Sequence, residues 1–254
     1  MESQDFLDLK VENHYESRHN MTSDTILDQL NIPGVAEIRA IVFDLDGTLY
    51  VNDEFAAAIQ DGGADYLAGV QGVGFEEARQ KMAATRSRLA EESGSVQTLS
   101  AVCRALGGNV TDLHAHFQHY LRPESCLKRD ERVVSLLERL RRRFALYIYT
   151  NNSRPLTSRI LRLLGLEGCF EGIFTIDETW QAKPDQSRLE QILKAIGLPA
   201  AAVLFVGDRY EVDLRLPEKA GCPVYLSRSV DQLLRLDSII PENTIPRGDA
   251  ENAV

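Results

Sequence analysis

Short apolar runs recur along the chain, separated by stretches in which apolar positions return every three or four residues. The runs occupy residues 40–43, 144–149, 173–176, 203–206 and 223–226. Each is almost wholly apolar rather than alternating, as expected of strands buried on both faces. They end at Asp44, Thr150, Asp177, Gly207-Asp208 and near Ser227. Helical periodicity fills 130–142, 154–164 (Leu156, Ile160, Leu161, Leu164), 186–196 (Leu189, Ile192, Leu193, Ile196) and about 214–220. This alternation predicts an α/β fold, a Rossmann-like three-layer core with a buried parallel sheet and right-handed crossovers. In such sheets the ligand crevice lies at the carboxyl ends of the strands.

The interval 52–128 breaks the rhythm. It reads as helices alone, over about 54–69, 75–91, 96–106 and 111–121, with breaks at Gly72-Val73-Gly74, Gly94 and Gly107-Gly108. Leu89, Leu99, Val102, Leu106 and Leu113 are its candidate core positions. A small all-helical domain inserted after the first strand is therefore expected, placed over the sheet's carboxyl edge. The predicted organisation is an acidic N-terminal arm (1–37, with Ser23 capping a short helix), an α/β core (38–51 and 129–236), the helical domain (52–128) and a flexible acidic tail (237–254).

Charge sharpens this division. The 254 residues hold 28 Lys and Arg against 38 Asp and Glu, a net charge of −10. Residues 1–38 account for −6 and 237–254 for −3, so the body is nearly neutral. That distribution lacks the basic field required for binding nucleic acid. Arg139, Arg141, Arg142 and Arg143 fall in the last turn of a predicted helix, where cations complement the helix dipole. No apolar run is long enough to span a bilayer. The acidic start Met1-Glu2-Ser3-Gln4-Asp5 lacks the zones of a secretory signal. A cytoplasmic protein is predicted, with Cys103, Cys126, Cys169 and Cys222 as reduced, packed thiols.

The candidate chemistry sits at the strand ends. Asp44, Asp46, Thr150 and Asp208 follow the carboxyl ends of three strands, and Lys183 follows a fourth after a short loop. Three carboxylates gathered in one crevice repel one another unless a cation stands among them. Oxygen donors without His or Cys select a hard ion, and Mg²⁺ fits best. In Asp44-Leu45-Asp46-Gly47-Thr48, residues i and i+2 can face the same side. Two carboxylates then reach one phosphorus, one to attack and the other to handle a proton. Gly47 lets the backbone turn away from the strand. Gly47 and Leu49 stand where an EF-hand loop needs oxygen ligands, which excludes that alternative.

Together these residues resemble the motifs of the haloacid dehalogenase superfamily of phosphohydrolases. Asp44-x-Asp46-Gly47-Thr48 resembles the first motif, Thr150-Asn151 the second, Lys183-Pro184-Asp185 the third, and Gly207-Asp208 with Asp213 the fourth. The resemblance covers about 39–227. It implies that Asp44 is the nucleophile, forming an aspartyl-phosphate, and that Asp46 protonates the leaving alcohol and then activates water. Thr150 and Asn151 would bind phosphoryl oxygens, and Lys183 would neutralise charge on nucleophile and phosphate. Asp208 would ligate Mg²⁺ with Asp44 and the Asp46 carbonyl, and Asp213 would ligate it through water or pair with Lys183. The helical insertion resembles the family's C1 cap. The implied activity is a Mg²⁺-dependent phosphatase acting on a small phosphorylated metabolite. Asp46 favours a phosphate ester over a carbon–halogen bond, because a departing halide needs no proton. A phosphomutase of the β-phosphoglucomutase type and a catalytically idle interaction protein are the alternatives.

One departure from the family pattern is the stretch Leu214 to Gly221, where Pro217 lacks a backbone donor and predicts a later helix start. His114, His116 and His119 do not share one helix face, so packed or solvated imidazoles are expected there rather than a zinc site. Glu178, Trp180, Gln181, Arg209 and Glu211 lie beside motif residues, as candidates for contact with substrate or for support.

Overall fold

The computed structural model describes residues 38–240. The expected arm at 1–37 with its Ser23 helix, and residues 241–254, lie outside the described residues. Strand β1 (Ala40–Phe43) is followed by helices α1 (Asp53–Gln71), α2 (Phe75–Ser93), α3 (Leu99–Ala105), α4 (Val110–Tyr120), α5 (Pro123–Cys126) and α6 (Glu131–Leu140). Then come β2 (Ala145–Tyr149), α7 (Arg154–Leu164), β3 (Gly172–Phe174), α8 (Gln186–Ile196) and β4 (Val203–Gly207). The chain continues through α9 (Arg215–Lys219), β5 (Val224–Leu226), α10 (Val230–Leu234) and α11 (Leu236–Ile239).

All strand pairs are parallel, in the order β3-β2-β1-β4-β5. The winding reverses between β1 and β4, and that reversal opens a crevice at their carboxyl ends. Side chains alternate between two cores. Ile41, Phe43, Leu146, Ile148 and Val206 pack with Leu137 of α6 and Ile160 of α7. Ala40, Val42, Tyr149, Val203 and Phe205 pack on the other face with Leu189 and Ile192 of α8. Both faces are therefore covered, as the apolar runs predicted. No helix among the described residues is long and apolar enough to cross a membrane.

Three local expectations are corrected. The third strand stops at Phe174, because Thr175 and Glu178 form a reciprocal cap that starts a single 3₁₀ turn, Ile176–Glu178. Pro217 does not delay its helix. A wide π-type turn, Tyr210–Leu214, leads directly into α9, and Pro217 is the third residue of α9. Its missing N–H falls in the first turn, whose donors have no partner inside the helix. The body also extends past 236. In α11 Asp237 accepts from Arg139 at 2.7 Å and from Arg143 at 3.2 Å, and Ile240 is buried. Two of the four clustered arginines thus hold the chain's last described turn.

The insertion's two ends are tied together at its base. The Asn52 side chain caps α1 by accepting from the Phe55 N–H at 2.7 Å, and it donates to the Cys126 carbonyl at 3.2 Å. From the core, Arg159 of α7 pairs with Glu124 at 2.9 Å and donates to the Leu121 carbonyl at 3.3 Å. In the same layer as α7, Leu137 of α6 is wholly buried. Leu137→Ala is expected to destabilise the protein by about 2–5 kcal/mol, read as a lowered urea midpoint with little change in slope.

Candidate active site

Each acidic motif residue is placed by a strand end. Asp44 continues β1, its N–H donating to the Val206 carbonyl of β4 at 2.8 Å. Gly47 then turns the chain at φ +83°, its N–H donating to the Tyr50 carbonyl at 2.9 Å. A Cβ on Gly47 would stand 2.5 Å from Asp208 Oδ2, so only glycine lets this turn approach the β4 end. At Gly207 a Cβ would meet that of Asp213 at 2.5 Å. Glycine therefore permits both close approaches between the first and fourth motifs.

Lys183 lies at the centre, 2% exposed. Its Nζ contacts Asp44 Oδ1 at 2.5 Å, Asp213 Oδ1 at 2.6 Å and the Tyr149 carbonyl at 2.9 Å. The Lys183 main-chain N–H donates to Asn151 Oδ1 at 2.7 Å, which fastens the third motif to the second. The Thr150 hydroxyl is buried and accepts from the Asn152 N–H at 3.1 Å. Oxygens of Asp44, Asp208 and Asp213 all lie within 4.8 Å of one another. The Asp46 carboxylate is outside this group. It accepts from the Tyr50 hydroxyl on one oxygen and from Asn152 Nδ2, at 2.7 Å, on the other.

Burial dominates the site's electrostatics. It pushes Asp44 up to about 8 against the pull of Lys183, with Asp213 and Asp208 adding to the rise. It pushes Asp208 up to about 6, opposed by Arg209. Burial would also raise Asp213, but Lys183 and Arg209 outweigh it and hold this carboxyl below its ordinary range. Burial alone would lower Lys183; Asp213 and Asp44 reverse this and keep it charged. Arg209 Nε stands 3.6 Å from Asp208 Oδ1, an oxygen that is buried and accepts no hydrogen bond among the described residues. An all-oxygen donor set with such an orphaned atom fits a hard divalent cation.

Asp46, Asn151 and Asp208 line a cleft of about 480 Å³ whose far walls come from α1, α2, α4 and residues 96–100. Phe55, Leu113, His114 and Phe117 face it there, with Arg86 and Gln60 joined by a 2.6 Å hydrogen bond. The three helix histidines separate, as their spacing predicted. His114 is buried against Phe117 and Trp180, while His116 turns to Asp65 at 3.2 Å. The Trp180 carbonyl accepts from Arg104 at 2.5 Å, joining α3 to the loop that carries Lys183. Glu178 pairs with Arg154 at 2.8 Å and with Arg188, so it braces the loop rather than the site. Glu211 pairs with Arg215 at 2.8 Å. Tyr50 and Asn152 are site residues that sequence reasoning missed. Their signals were faint: four residues beyond Asp46 across a glycine turn, and two beyond Thr150.

The sequence model of haloacid dehalogenase-like hydrolases matches residues 38–221. The chain belongs to that family. Among curated relatives, a pyrophosphatase PpaX of Bacillus pumilus is 28% identical over 188 residues, 72% of this chain and 80% of its own length. A haloacid dehalogenase-like hydrolase domain-containing protein 3 of Danio rerio is 38% identical over 87 residues, 34% of this chain and 36% of its own. Among solved structures, a phosphatase of the family from Thermococcus onnurineus superposes with TM-score 0.54 at 19% identity, covering 82% of this chain and all of that one. A 2-haloacid dehalogenase from Pseudomonas syringae gives 0.50 at 23%, covering 80% and 97%. These two share this hydrolase's fold and carry different names, so the fold does not choose the reaction.

His114 yields a pH prediction. Burial holds its imidazole down to about 4, against the pull of Asp177. The unfolded chain binds that proton from about 6.5 downward, so His114 makes stability fall as pH drops from about 6.5 to about 4. In urea titrations across this range, His114→Gln is expected to lose less stability than the wild type. Equal slopes would refute a buried neutral imidazole.

Proposed function

We propose that this hydrolase is a Mg²⁺-dependent phosphatase that cleaves small phosphorylated metabolites through an aspartyl-phosphate on Asp44. The observation that carries the reading is Asp46, held at the cleft wall by two donors and outside the carboxylate group around Lys183. An acid in that place serves an alkoxide leaving group, whereas a halide would make no use of it. The names of the relatives agree in kind. They include the pyrophosphatase above and a phosphoglycolate phosphatase of Yersinia pestis, 34% identical over 76 residues, 30% of this chain and 32% of its own.

In this reading Asp44 attacks phosphorus as the phosphorus–oxygen ester bond breaks, and Asp46 gives its proton to the departing alkoxide. Asp46, now a carboxylate, takes a proton from the water that attacks the aspartyl-phosphate, which releases phosphate and restores Asp44. Thr150 and Asn151 hold phosphoryl oxygens; with Asn151 Oδ1 taken by the Lys183 N–H, its amide hydrogens are the groups left to donate. Lys183 offsets charge on nucleophile and phosphate. Asp44, Asp208 and the Asp46 carbonyl would hold Mg²⁺, with Asp213 behind them. When bound, the ion offsets negative charge on the phosphoryl group. Helices α1 to α4 act as a cap that covers the cleft and selects the leaving group. The four free cysteines suit the reducing cytoplasm, where we place the reaction.

A Mg²⁺-supplemented panel of phosphate esters, read as released phosphate, tests this. Hydrolysis of at least one ester is expected, abolished by EDTA and by Asp44→Asn while the latter's thermal melt stays in place. Activity surviving Asp44→Asn would reject the nucleophile. Isomerisation of a sugar phosphate without phosphate release would make the protein a mutase instead.

A further inference from the structure

We propose that Tyr50 and Asn152 are positioning residues for Asp46, clasping its carboxyl from both oxygens so that its proton meets the leaving-group oxygen. The inference rests on the phosphatase reading above and adds to it the parts that make the acid work. An aspartate side chain rotates about two bonds, and a carboxyl free to swing meets the leaving oxygen only part of the time. Here each oxygen has its own donor. The Tyr50 hydroxyl donates to Oδ1 and Asn152 Nδ2 donates to Oδ2 at 2.7 Å.

Both donors are themselves immobilised. The Gly47 N–H to Tyr50 carbonyl bond closes the turn that folds Tyr50 back over Asp46. The ring is 8% exposed and packs at 6.3 Å on Phe55, the first-turn residue of α1. Burial and the neighbouring Asp46 push the phenol up, so it remains a donor. Asn152 is fixed through its main chain, its N–H donating to the Thr150 hydroxyl at 3.1 Å and its carbonyl accepting from the Ile176 N–H at 3.1 Å. One donor thus comes from the turn that follows β1 and the other from the loop that follows β2. Each carboxyl oxygen gives one lone pair to the clasp and keeps a second for the proton. When that proton passes to the alkoxide, the carboxylate left behind is already solvated by one O–H and one N–H group that need not move.

Leaving-group acidity separates positioning from mere structure. Benzyl phosphate releases a strongly basic alkoxide, while 4-nitrophenyl phosphate, of similar size, releases a phenolate that needs no proton. The value of kcat/KM reports the phosphoryl-transfer step and is blind to the later hydrolysis. Tyr50→Phe and Asn152→Ala are each expected to lower kcat/KM for benzyl phosphate about 10-fold more than for 4-nitrophenyl phosphate, a fraction of what a general acid supplies. Asp46→Asn, measured beside them, is expected to show the same bias more strongly. If Asp46→Asn is biased but both clasp variants depress the two esters equally, the clasp is overturned and the acid stands. If Asp46→Asn itself shows no bias, the acid assignment falls and the clasp with it. Should one clasp variant fail to fold, the other decides.

Discussion

A charged ammonium buried between two carboxylates is the constraint on which the site depends. Taking such charges out of water costs several kcal/mol for each ion and is offset only by near-ideal geometry. Lys183 achieves it because its ammonium has three N–H groups and finds three oxygens, from Asp44, Asp213 and the Tyr149 carbonyl. Those oxygens belong to the ends of β1 and β2 and to the turn after β4. The contact therefore exists only when β2, β1 and β4 stand side by side in the parallel sheet. Asn151 adds the last tie by holding the main chain of Lys183 itself. The geometry around Lys183 and the sheet order are one structural fact.

The charge balance of the crevice suits a cation. Around the crevice, four carboxylates (Asp44, Asp46, Asp208, Asp213) face two cations, Lys183 and Arg209. Fully ionised, the group would carry an excess of two negative charges, the charge that one divalent ion cancels. Burial opposes that excess by raising Asp44 and Asp208. Asp213 is spared because Lys183 and Arg209 flank it. That difference sets Asp213 apart from Asp44 and Asp208.

Much of this was readable before any coordinates. Asp44, Asp208 and Lys183 announced themselves because each follows an apolar run, and in a parallel sheet all run ends point to one edge. The clasp on Asp46 was not readable, because it spans 106 positions between Asp46 and Asn152 and depends on side-chain direction rather than on order. Period-2 and period-3.6 patterns carry no such information. The C-terminal limit was misjudged for a different reason. Asp237 reads as one more acid in an acidic tail until Arg139 and Arg143 are seen across from it. The wide turn at Tyr210–Leu214 likewise follows from the need to bring Asp213 back under Gly207, a tertiary demand that local propensity does not express.

The fold is shared by proteins named for phosphatase and for dehalogenase chemistry, so the discriminating feature has to be local. In the reading proposed above that feature is Asp46, whose carboxylate stands apart. A carboxylate that binds a metal ion is held ionised and cannot carry a proton, so one used for proton transfer cannot itself be a ligand. Here the separation is built in, since the Asp46 carboxylate is excluded from the Asp44, Asp208 and Asp213 group while its neighbour two residues earlier belongs to it. Burial raises its affinity for a proton, and the donors from Tyr50 and Asn152 restrain that rise. In the two-step hydrolysis proposed above, this one carboxyl gives a proton in the first step and takes one back in the second.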